Sequence, residues 1–110
     1  MESNKRKKRH MNIQIQSIHF SPSEALNQKI EEKLTQAFKH YPYISRGKVF
    51  LKLQENEPKE KHIMEIRLLL THGELFAEAR EVDFYLALEH TIAKLKKQLE
   101  KYKEKAYSKP

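Results

Sequence analysis

Cysteine is absent from the 110 residues, which removes disulfide scaffolds, cysteine-ligated metals and thiol catalysis, and fits a reducing compartment. Glycine occurs only at Gly47 and Gly73, too sparsely for a phosphate-cradling loop. Apolar runs extend only a few residues, as in Leu68-Leu69-Leu70, so they build neither a membrane span nor a secretory signal core. The histidines at 10, 19, 40, 62, 72 and 90 form no HxxxH pair and no short zinc-ligand spacing. Asp83 is the single aspartate. Glu65, Glu78 and Glu89 alternate with apolar residues or sit mid-helix, where solvated carboxylates are ordinary. These absences argue against an enzyme and supply no catalytic, metal or cofactor site.

What is present is charge, unevenly placed. Hydrophobic residues make up 38% and charged residues 34%, enough apolar content for one folded domain at this length. The net charge is +7, yet residues 11–93 carry ten basic and twelve acidic side chains. Residues 1–10 carry five Lys or Arg against one Glu, and residues 94–110 carry seven Lys against two Glu. Basicity concentrated in two terminal segments attracts polyanions. Residues 1–10 have no apolar side chain after Met1 and read as a disordered basic arm. Met11 is equally an alternative start. The folded domain is expected over 11–105, with 106–110 a flexible tail.

The pattern then alternates. Ile13 and Ile15 against Asn12, Gln14 and Gln16 spell a half-buried strand. Ser21-Pro22-Ser23-Glu24 starts a helix, with Ser21 as cap, Pro22 in the first turn and Glu24 completing a capping box. Leu26, Ile30, Leu34, Ala37, Phe38 and Tyr41 follow at helical spacing, and Pro42 stops the helix near Tyr41. Gly47 opens a second strand through Val49, Leu51 and Leu53. A third runs through Met64, Ile66, Leu68 and Leu70. A tight turn at His72-Gly73 leads into a fourth, with Leu75, Ala77 and Ala79 inward. Asp83 caps the last helix, with Val82 and Ala87 placed for a hydrophobic staple. Its apolar stripe is read as Tyr85, Leu88, Ile92, Leu95, Leu99 and Tyr102. The order is β-α-β-β-β-α. The expected fold is an α+β two-layer sandwich, a four-stranded sheet with two helices on one face.

Lys94, Lys97, Lys101 and Lys105 form one row on the last helix, and Lys96 and Lys103 a second beside it. Lys29 and Lys33 share a face of the first helix. If both helices pack on the same sheet face, these rows border one groove suited to a phosphate backbone. The bland alternative is a solvated helix end whose lysines complement the dipole. Phe50, Phe76 and Tyr85 are candidates for stacking on bases. Phe50 and Phe76 fall on the outer strand faces, where a ring needs a reason, whereas the stripe places the Tyr85 ring in the core and its hydroxyl at the rim.

From Gly73 to Lys105 the chain reads GELFAEAREVDFYLALEHTIAKLKKQLEKYKEK. Ala77 and Ala79, then Asp83, Tyr85 and Ala87, then Lys94, Leu95, Gln98, Leu99, Lys101 and Lys103 resemble the closing strand and helix of the short ribosome hibernation factors. This family includes the ribosome-associated inhibitor and hibernation-promoting proteins and is also called the sigma-54 modulation family. Ser23, Ala25, Leu26, Ile30, Lys33, Leu34 and Tyr41 fit its first helix. The resemblance implies a layout like that of double-stranded-RNA-binding domains, in a short form without a C-terminal dimerisation module. It implies a cytoplasmic inhibitor of translation in stress and stationary phase, lodged in the decoding region of the small ribosomal subunit or whole ribosome. There it would block messenger and transfer RNA. The residues expected to face ribosomal RNA are Lys29, Lys33, Tyr85, Lys94, Lys97, Lys101, Lys103 and Lys105. No membrane partner is expected, and the free protein is expected to be monomeric. Two other readings remain: a module docking its Lys-rich helix on an acidic partner, and a general double-stranded-RNA binder.

Overall fold

The structure, a computed structural model, describes residues 11–55 and 61–108, with side chains to Tyr102. The arm expected over 1–10 and most of the loop around Pro58 lie outside the described residues.

Strand β1 (Asn12–Ser17) alternates as its sequence does, Ile13 and Ile15 half-buried and the amides exposed. It pairs with β2 (Ile44–Leu53) in parallel. A parallel pair needs a crossover, and helix α1 (Glu24–Phe38) supplies it. The cap of α1 is Ser23, not Ser21: its hydroxyl accepts from the Leu26 amide at 3.0 Å. Glu24 therefore sits at the first helical position, too early to close a capping box. The helix ends at Phe38, three residues before Tyr41. There the chain turns, and the Tyr41 ring packs at 6.4 Å from Phe38 and 5.9 Å from Tyr43.

Strand β2 starts at Ile44, three residues before Gly47, with an irregularity in register between Ile44 and Arg46. It pairs antiparallel with β3 (His62–Leu70), and β3 with β4 (Gly73–Glu81), in the sheet order β1-β2-β3-β4. The β3–β4 turn is Thr71-His72, one residue earlier than expected. Gly73 opens β4 at φ +138°, a conformation L side chains rarely adopt. Val49, Leu51, Met64, Ile66, Leu68, Ala77 and Ala79 face inward and join Leu26, Ile30, Leu34 and Phe38 in one core with the second helix. Both helices thus cover one face of the sheet, the two-layer α+β sandwich expected from the sequence.

Helix α2 (Phe84–Ser108) continues three residues past Lys105. Asp83 caps it as expected, Oδ1 accepting from the Leu86 amide at 2.8 Å. Val82 is 55% exposed, so no staple forms with Ala87. Asp83→Ala should therefore lose on the order of 1 kcal/mol in chemical denaturation. An unchanged midpoint would show that the cap contributes nothing.

The buried stripe of α2 is Phe84, Ala87, Leu88, Thr91, Leu95 and Leu99, while Tyr85 is 46% exposed. The expected placement of the Tyr85 ring in the core is thus corrected: its neighbour Phe84 takes the position. Phe84 stacks on Phe20 at 5.6 Å, with planes 5° apart, and meets the His62 ring edge-on at 4.9 Å. Phe20 belongs to the connection after β1, where His19 adopts φ 66°. That connection presents an apolar ring to the start of α2, so the helix rolls Phe84 inward and Tyr85 out.

Candidate nucleic-acid interface

The two helices leave a groove of about 310 Å³ between them, lined by Lys33, Gln36, Ala37, Leu88, Glu89, Ile92 and Lys96. Its floor is apolar and its rims are polar. Lys33 comes from α1 and Lys96 from α2, so one cation stands on each bank. Lys29 lies one turn from Lys33 on α1 and is exposed. Tyr85 lies one turn before Glu89 on α2, beyond that end of the groove, with its ring in solvent. Glu89 is the acidic group among the lining residues, so positive charge is in excess there. A trough with cations on both sides accepts a phosphate chain better than a compact neutral ligand.

The other lysine row of α2 faces a different way. Lys94 donates from Nζ to the Glu78 carbonyl at 2.6 Å, on the outer edge of β4. One turn on, Gln98 reaches the same edge. Its Nε2 donates to the Phe76 carbonyl at 2.7 Å and its Oε1 accepts from the Phe76 amide at 3.4 Å. The carboxamide thus engages both backbone groups of Phe76, as a residue of a fifth strand would. An edge strand otherwise offers these groups to any passing chain. Lys94 and Gln98 therefore anchor α2 along β4. Lys97 and Lys101 are exposed, and the side chains of Lys103 and Lys105 lie outside the described residues. Among the described residues no group of three or more His, Cys, Asp or Glu is placed to hold a metal ion. None of their helices is long and apolar enough to cross a membrane.

The model of a family described as "Sigma 54 modulation protein / S30EA ribosomal protein" matches residues 13–107. The chain belongs to this family. The Ribosome hibernation promoting factor of Pseudomonas putida strain KT2440 is 31% identical over 98 residues, covering 89% of this chain and 92% of the relative. That of Acinetobacter guillouiae is 32% identical over 100 residues, covering 86% of this chain and 88% of the relative. A solved ribosomal subunit interface protein from Coxiella burnetii matches with a TM-score of 0.77 at 26% identity, covering 86% of this chain and 99% of that one.

Within this S30EA-family fold the eight residues expected at the interface divide into groups. Lys29 and Lys33 lie on α1, Lys33 in the groove, with Tyr85 beyond one end of it. Lys94 is held at the β4 edge, and Lys97 and Lys101 lie on the exposed part of α2. Lys96 completes the groove, although the sequence placed it in a secondary row. Its signal was available: Lys96 follows Ile92 by four residues, on the flank of the apolar stripe that turns toward α1.

Proposed function

We propose that this protein is a ribosome hibernation factor that inhibits translation by occupancy. It enters the decoding region of the small ribosomal subunit, binds ribosomal RNA through the lysines of α1 and α2, and excludes messenger and transfer RNA. The observation that carries the reading is the groove with Lys33 on one bank and Lys96 on the other, in a chain of the S30EA family. Phosphates are recognised there as charge. The long lysine side chains supply point charges that follow an irregular RNA surface without demanding one base sequence. The exposed Lys29, Lys97 and Lys101 extend the positive surface beyond the groove. No bond is made or broken. The protein acts as a monomer and competes for space.

Lys33→Glu with Lys96→Glu should weaken comigration with small subunits and whole ribosomes in a sucrose gradient. Removing two phosphate contacts predicts roughly 25- to 60-fold weaker binding at about 0.1 M salt, by extrapolation to a common affinity near 1 M. Lys59→Glu with Lys61→Glu makes the same charge change between β2 and β3 and should leave comigration close to wild type. Equal losses in the two double variants would show that net charge, not the groove, drives association. Wild-type protein found only in the free fractions would overturn the proposed function.

A further inference from the structure

The sheet has a second broad face, opposite the helices, and it is not plain. Phe50 on β2 and Phe76 on β4 both project from it, Phe50 half-buried and Phe76 with 41% of its surface exposed. The register sets Phe50 beside Glu65 and Phe76 beside Arg67, so the rings stand two strands apart and one two-residue step apart. That is roughly 10 Å across the strands and about 7 Å along them. Arg67 places its guanidinium carbon over the Phe76 ring, 5.3 Å from its centre, so it backs one face of the ring and leaves the other for a partner. Beside Phe50 lies a depression of about 490 Å³, lined also by Gln14, Gln16 and Lys48. On this face Arg46, Lys48, Lys52, Arg67 and Arg80 outnumber Glu65, Glu74 and Glu78, and Ile63 is buried between Lys52 and Arg80. Arg67 is bridged to Glu65 at 3.6 Å and to Glu74 at 3.1 Å, which holds its plane in position.

We propose that this open sheet face is a second RNA site, which binds a short single-stranded segment by stacking bases on Phe50 and on the Phe76–Arg67 pair. The chemistry is unlike that of the groove. Four-stranded sheets that display aromatic rings to solvent stack two or three unpaired bases, because every base offers a π-face. The Gln14 and Gln16 carboxamides supply the donor and acceptor pairs that base edges require. Lys48, Lys52 and Arg80 meet the phosphates. A duplex keeps its bases stacked on each other and offers these rings nothing, so the occupant is single-stranded. An acidic protein segment would use the cations and leave the rings idle. The site is separate from the helix groove and does not rest on the function proposed above.

The test uses the full chain, isotopically labelled, with an oligoadenylate hexamer and an abasic hexamer of the same charge. The oligoadenylate should shift the backbone amides of Phe50, Arg67 and Phe76, and the abasic strand should not. Phe76→Leu keeps an apolar side chain on the strand and removes the π-face. It should weaken oligoadenylate binding about tenfold, with the melting temperature near wild type. The salt dependence should hardly change, because no charge is altered. Lys33→Glu with Lys96→Glu should retain the base-dependent shifts on β2 to β4. Equal binding of both strands, shifts confined to α1 and α2, or undiminished affinity in folded Phe76→Leu would each overturn the site. Those results would leave the ribosome reading intact, whereas loss of ribosome comigration alone would leave this site intact.

Discussion

Phe84→Ala is expected to destabilise the protein by about 3 kcal/mol, the lower end of the range for a buried phenylalanine. The lower end applies because Phe84 lies in the first turn of α2 and keeps 8% of its surface in solvent. The loss has two parts: the ring's transfer to water, and the cavity left between Phe20 and His62. For a domain of this size the melting temperature should fall by more than about 10 °C. Tyr85→Ala, one residue along the same helix, should shift it by only a few degrees, because that ring is largely hydrated already. The pair reads the rotational phase of α2 directly. Thermal unfolding with the larger loss at Tyr85 would reverse the assignment of the core.

Ribosome affinity should fall roughly 100- to 500-fold when salt rises from about 50 to 200 mM. This follows if, as proposed, some five lysines of α1 and α2 meet phosphates, each contact releasing condensed counterions. Five contacts give a slope of log affinity against log salt of about −3.5 to −4.5, the range spanning single-stranded and duplex coefficients. Lys33→Glu with Lys96→Glu should flatten that slope by nearly two units as well as weaken binding. Binding titrations over a salt series measure both quantities. A nearly flat slope would remove phosphate recognition as the source of affinity.

The strand assignments were readable because each strand has one buried face. Met64, Ile66, Leu68 and Leu70 alternate so regularly that a slip of one residue would expose them all. Helix α1 was equally readable in phase, since Leu26, Ile30, Leu34 and Phe38 repeat every four residues. Its start was not, because Ser21 and Ser23 both have a capping side chain. Only the packing of Leu26 and the path of the chain after β1 select Ser23. At α2 the sequence Phe84-Tyr85-Leu86-Ala87-Leu88 is apolar throughout, so more than one stripe fits its first turn.

The sequence by itself determined the element order, the inward face of each strand, the Asp83 cap and the concentration of lysine on two helices. Periodicity, capping chemistry and charge are local properties, and they survive without knowledge of the partner. Which lysines share a surface was decided by the tertiary structure. Lys33 and Lys96 are 63 positions apart in the chain, and only the packing of α1 beside α2 puts them on one groove. The same packing turns Lys94 and Gln98 onto the β4 edge, where unpaired backbone groups bind them. Phe20 likewise reaches Phe84 through a loop with no periodic signal, and so sets the roll of α2. Such choices depend on where two distant segments meet, and no local pattern carries that information.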